Sequence, residues 1–133
     1  MIGRTLLAAA ILLLPGAASA QKACDQFRTA QTTGPTVRTE RVAAIANQRI
    51  YLCGYMIMRG LGAQDLEFEL TSGTGRDCGT NTQIVIPRML VPPQGIVNRI
   101  AYAAGERAPP GNAMCLQTWG TGPVTSIFYW AQF

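Results

Sequence analysis

The sequence contains no histidine. That absence removes the Ser-His-Asp and Cys-His nucleophile systems and most catalytic zinc sites. There is also no C-x-x-C pair, so the four cysteines, Cys24, Cys53, Cys78 and Cys115, lack the spacing of a structural zinc site. Charge is sparse, with 11 basic and 7 acidic residues in 133. The basic residues from Lys22 onward, among them Arg28, Arg49, Arg76 and Arg107, occur singly along the chain, so there is no basic arm of the kind that holds nucleic acid. No internal repeat is visible, and after residue 20 no apolar run approaches the roughly 20 residues a membrane helix needs. Nucleic acid and membrane insertion of the mature chain are therefore not expected, and no cofactor motif is found.

The first twenty residues are of a different kind. Arg4 provides a positive start, Leu6 to Leu14 a short apolar run, Pro15-Gly16 a break, and Ala18-Ser19-Ala20 the small residues a signal peptidase requires. We read residues 1–20 as a cleaved signal peptide, with Gln21 as the new N-terminus and an exported, periplasmic or extracellular product. A lipoprotein would need a cysteine directly after the cleavage site, and Cys24 lies too far on. Cleavage leaves 113 residues (133 less 20), enough for one domain. The formal net charge of +4 falls to +3 as Arg4 leaves.

In an oxidising compartment four cysteines read as two disulfides. Three pairings are open. The expectation is Cys53–Cys78 with Cys24–Cys115, because the Gly-rich turn before Cys78 is able to fold back on the strand carrying Cys53.

Past residue 35 the chain reads as strands and turns. In Leu66-Glu67-Phe68-Glu69-Leu70-Thr71 the apolar residues alternate strictly with polar ones, the signature of a half-buried strand. Further strands are expected at 37–45, 48–59, 82–87, 96–103, 113–119 and 124–133, separated by Gly-, Pro- and Asn-rich turns. About seven short strands at this spacing predict an all-β fold, a single jelly-roll-like β-sandwich over residues 36–133, with an open barrel as the competitor. Residues 21–35 read as an extended lead-in tied down at Cys24, and Val42 to Ala46 as the one helical candidate, too short to stand alone.

Two strands break the one-sided pattern. Strict alternation would place Ile50, Leu52, Met56 and Met58 on one face of the segment 48–59, and Tyr51, Cys53, Tyr55 and Ile57 on the other. In the last strand Phe128 and Trp130 oppose Ile127, Tyr129 and Phe133. A sandwich strand should be apolar on its inner face only. Tyr51, Tyr55, Trp119, Ile127, Tyr129 and Phe133 are accordingly the candidate interaction face, with a second copy of the chain as the expected partner. The alternative partner is a glycan or another envelope ligand, stacked on Tyr51, Tyr55, Trp119, Tyr129 and Trp130, with Asn98, Asn112 or Gln117 supplying hydrogen bonds.

Catalysis has few remaining routes. Glu67 and Glu69 share a strand face roughly 7 Å apart, but on the solvated side with nothing to raise either pKa. The run from Ser72 to Asn81 is glycine-rich, yet it lacks the Gly-Lys-Ser/Thr ending of a phosphate loop and offers a calcium ion only Asp77. It reads as a wide turn anchored by Cys78. The chain is thus read as a non-catalytic structural or interaction protein.

The series Ile50-Tyr51-Leu52-Cys53-Gly54-Tyr55, Ser72-Gly73-Thr74-Gly75 with Cys78-Gly79-Thr80, Gly111-Asn112-Ala113-Met114-Cys115-Leu116 and Tyr129-Trp130-Ala131-Gln132-Phe133 resembles a group of small exported proteins found in alphaproteobacteria and on phage-related sequences. The likeness spans roughly residues 40–133. It implies a compact β domain with Cys-Gly and Gly-Thr-Gly at strand ends, and no active site. The group's phage association implies a fibre or decoration component of a virion as a variant of the structural role.

Overall fold

The computed structural model describes residues 24–33, 36–62, 64–93, 95–100 and 106–133. The signal peptide expected at 1–20 and the end of the strand expected at 96–103 lie outside them. Eight strands are present: β1 Gln26–Thr33, β2 Thr36–Val42, β3 Ile50–Arg59, β4 Gln64–Thr74, β5 Thr80–Leu90, β6 Ile96–Ile100, β7 Ala113–Thr121 and β8 Pro123–Gln132. They form two four-stranded antiparallel sheets, one in the order β1-β8-β3-β6 and the other β2-β7-β4-β5.

The order follows one rule. β1 pairs with β8, β2 with β7, β3 with β6 and β4 with β5. The chain is a long hairpin of four strand pairs rolled up so that alternate pairs fall in opposite sheets, which is the jelly-roll winding. The expected sandwich is thus present with one strand more than the sequence reading counted. Residues 26–33, read as part of a lead-in, form β1 at the edge of the first sheet. Val42 to Ala46, too short to stand alone as a helix, forms none, and the strand expected to Ile45 ends sooner: β2 runs to Val42 and a turn follows at Ala46-Asn47, with Asn47 at φ 61°.

Hydrophobic side chains of the two inner faces meet in one core. In β4, Leu66, Phe68 and Leu70 are fully buried, as alternation predicts. Phe68 packs edge-to-face on Tyr55 of the opposite sheet, ring centroids 5.7 Å apart, so this aromatic pair joins the two layers. β7 adds Met114 and Leu116, and β8 adds Val124, Phe128 and Trp130.

β3 explains the two-faced pattern of the sequence. The register with β8 slips between Leu52 and Gly54, where one extra residue is inserted. Such a bulge inverts the phase of alternation. Ile50 and Leu52 face the core before it, Tyr55 and Ile57 after it. Tyr51, Met56 and Met58 are left on the outer side and are half-buried. Apolar residues at odd and even positions therefore serve one inner face, and the separation of Tyr55 from Leu52 predicted by strict alternation is corrected.

The disulfides are Cys24–Cys53 and Cys78–Cys115, not the expected pairing. Cys53 is the bulge residue of β3, and Cys24 precedes β1; both strands flank β8. Strands two apart are separated by about 9.6 Å, beyond the reach of a disulfide, so the chain leaves strand geometry before Gln26 to bring the two Cα atoms to 6.0 Å. The second bridge depends on strand order. β7 lies beside β4, with Cys115 opposite Thr71, and the turn Arg76–Cys78 folds back over that pair. Gly73 permits the return: a Cβ there would sit 2.9 Å from the carbonyl oxygens of Cys78 and Thr80. Gly75, at φ 73°, makes the bend. Asp77 then accepts a hydrogen bond from the Glu40 N–H at 3.1 Å, tying the turn to β2. Two disulfides are bonds of an oxidising compartment, and no helix among the described residues is long and apolar enough to cross a membrane.

Candidate interaction face

Register places the residues on the outer side of β1, β8 and β3 in rows that continue onto β6. Phe27 lies opposite Tyr129, which lies opposite Gly54 and then Ile100. The next row runs Thr29, Ile127, Met56, Asn98, and the next Gln31, Thr125, Met58, Ile96. None of these twelve positions is charged. Phe27 is 70 % exposed and Ile96 56 %, while Ile127, Tyr129, Met56 and Met58 are half-buried. Phe27 and Tyr129 touch with centroids 6.5 Å apart. At the end of the sheet Tyr51 stacks on Phe133, 4.4 Å between centroids and nearly parallel, and Phe133 stays 41 % exposed. Reciprocal backbone bonds between Arg49 and Phe133 hold that terminal residue in the sheet.

The second sheet presents a different outer face. Arg38 donates two hydrogen bonds to Gln117 Oε1 across β2 and β7. Arg88 pairs with Glu67, and its guanidinium lies 4.1 Å from the centre of the Trp119 ring. Glu69 stands opposite Gln117. One side of the sandwich is thus charge-laced, whereas the other carries no charge across these three rows and meets charge only at its Tyr51–Phe133 end, where Arg107 pairs with Tyr51 and Arg49 with Phe133.

Of the six residues selected from sequence, Tyr51, Ile127, Tyr129 and Phe133 come together on the first sheet. Tyr55 does not: the bulge turns it inward, where it is 2 % exposed. Trp119 lies on the opposite sheet under Arg88. The five aromatics considered as a sugar platform are dispersed in the same way, since Trp130 is also in the core and Asn112 is buried. Sequence reading missed Phe27, Met56, Met58 and Ile96. Phe27 was hidden in the supposed lead-in, although the Thr-rich alternation of Phe27, Thr29 and Gln31 against Arg28 and Ala30 is a strand signal.

Two buried titratable groups mark the interior. Burial pushes the Tyr55 phenol above its ordinary pKa; Arg99, which hydrogen-bonds it, opposes that rise and Glu106 adds to it. Arg41 is 4 % exposed, and its Nε and Nη2 have no hydrogen-bond partner among the described residues. Burial, then the charge of Arg28, lower its pKa. Arg28 donates to the Arg41 carbonyl at 3.3 Å and so holds that second charge close.

No family model matches this sequence, and no curated protein matches it.

Proposed function

We propose that this is a non-catalytic exported protein that self-associates through the outer face of the β1-β8-β3-β6 sheet. The observation that carries the reading is the contrast between the two faces: three uncharged rows with Phe27, Tyr129, Ile127, Met56, Met58 and Ile96 among Thr, Gln and Asn on one, an ion pair and charged hydrogen bonds on the other. A net-positive chain meets its own copy at least cost where neither surface bears charge. Methionines at the centre of the face adapt to a partner's contours.

Size sets the strength. Four strands at about 4.8 Å and some eight residues at about 3.3 Å give a face of roughly 500 Å². Two copies then bury roughly 1,000 Å², near the lower end of specific interfaces, which predicts a reversible dimer of modest affinity. The leader features of residues 1–20 and the two disulfides support a periplasmic or extracellular site of action. The absence of histidine and the pairing of all four cysteines support a non-catalytic role. A place in a phage fibre or virion surface is a variant of this reading that the group resemblance raises, and the leader features of residues 1–20 argue for the bacterial envelope instead.

The test compares two surface charges. Ile127→Arg, at the centre of the apolar face, should shift the sedimentation behaviour to that of the monomer, while Glu69→Arg on the opposite sheet should leave it as in the wild type. Equal behaviour of both variants and wild type would refute the assignment of the face.

A further inference from the structure

A cavity of about 250 Å³ opens at the end of the sandwich where β3 begins, lined by Arg49, Gln83, Arg107, Ala108 and Pro109. We propose that it is a site for a small molecule bearing a phosphate or carboxylate group, adjoining the Tyr51–Phe133 end of the self-association face.

The two arginines are held by backbone structure rather than by each other. Arg49 exchanges both backbone hydrogen bonds with Phe133. Arg107 sits in a segment that runs antiparallel along β3. There Leu52 N–H donates to the Glu106 carbonyl, Ala108 N–H to the Ile50 carbonyl and Gly111 N–H to the Gln48 carbonyl, at 2.8–3.0 Å. Gln83 comes from β5, in the other sheet, so the cavity bridges the two layers. The backbone of both arginines is therefore fixed at the cavity before any ligand arrives.

Neither guanidinium has an ion-pair or side-chain hydrogen-bond partner among the described residues, whereas Arg76, Arg88 and Arg99 are each paired. The acidic neighbour in sequence, Glu106, is engaged by Arg99 at 2.9 Å. Two uncompensated planar donors on one cavity select an oxyanion, whose geometry matches the guanidinium fork. The carboxamide of Gln83 is suited to a hydroxyl or a further oxygen, and Ala108 with Pro109 supplies an apolar wall. The volume exceeds the roughly 30 Å³ of a water molecule several-fold and falls just below the range of sites for drug-sized ligands. The ligand is thus a compact anionic metabolite or the headgroup of an anionic lipid, the two sources of the same chemistry.

Calorimetric titration of the oxidised protein with inorganic phosphate and with glycerol 3-phosphate tests the site, with phosphatidylglycerol vesicles in a co-sedimentation arm. Saturable binding of glycerol 3-phosphate is expected, weakened at least about tenfold in an Arg49→Gln, Arg107→Gln double variant. It should be unchanged in Arg76→Gln, which removes a cation at the same end of the sandwich but outside the cavity. Arg107→Gln alone alters an exposed side chain and should lower affinity in a protein of wild-type melting temperature. Vesicle binding that the double variant abolishes would assign the headgroup as the source; protein left in the supernatant would assign a free solute. No saturable binding to either small probe or to vesicles, or equal losses in Arg76→Gln and the double variant, would overturn the proposal.

Discussion

Leu52 and Tyr55 stand three residues apart on one strand and both point into the core, each 2 % exposed. On a regular strand they would face opposite sides. The extra residue between Leu52 and Gly54 reconciles them and hands Met56 and Met58 to the outer surface. Truncating Tyr55 to Ala should therefore cost about 3–5 kcal/mol, as expected for a buried aromatic, while Met56→Ala should cost less than about 1 kcal/mol. Urea denaturation of the two variants measures the difference. Equal costs would contradict the bulge.

Disulfide topology gives a second expectation. Peptide mapping without reduction should recover Cys24 linked to Cys53 and Cys78 linked to Cys115. Their sequence separations of 29 and 37 residues imply, from chain entropy alone, about 3.5–4 kcal/mol per bridge. Removing either pair by double Cys→Ser substitution should lower stability by a comparable amount, read as a drop in the urea midpoint. A Cys53–Cys78 peptide would refute the strand order that places β7 beside β4.

These bridges show where the sequence was legible and where it was not. Leu66 to Leu70 announced its strand because buried and half-exposed residues alternate along that run, whereas Thr71, expected on the solvated face, is fully buried where the turn carrying Cys78 folds over it. The sandwich class followed from the turn spacing. The pairing did not, because it depends on which strands become neighbours, and β4 meets β7 only after some forty intervening residues have crossed between sheets. The bulge was equally hidden: nothing in Tyr51-Leu52-Cys53-Gly54-Tyr55 states that the period slips, although the appearance of apolar residues on both faces is what a slip leaves behind. Half the candidate face, Tyr51, Ile127, Tyr129 and Phe133, was recoverable from alternation. Phe27 needed β1, and Ile96 needed the register of β6.

Arg41 gives a third prediction. A buried guanidinium with two unpartnered nitrogens, close to the charge of Arg28, is a net cost to the fold. Arg41→Met keeps the volume and removes the charge, so stability should rise by about 1–3 kcal/mol. A melting temperature that falls would show that the guanidinium is compensated in solution.

The phenol of Tyr55 makes stability depend on alkaline pH. Its folded pKa is raised above the unfolded value, so between the two the native state binds more protons. Its stabilising contribution is complete below a pH of about 10, the ordinary tyrosine pKa, and is lost as pH rises toward the folded value. Tyr55→Phe should flatten the fall in melting temperature between pH 9 and 11 by about the share of one ionisation. An unchanged slope would place the phenol in water.

The charge-free face is the centre of the account, and the mass of the oxidised mature protein tests it most directly. Sedimentation over a wide concentration range should show a monomer when dilute and a reversible dimer at high concentration, the dimer persisting as salt rises because the contact is apolar. A single monomeric mass up to near-millimolar concentration would contradict it.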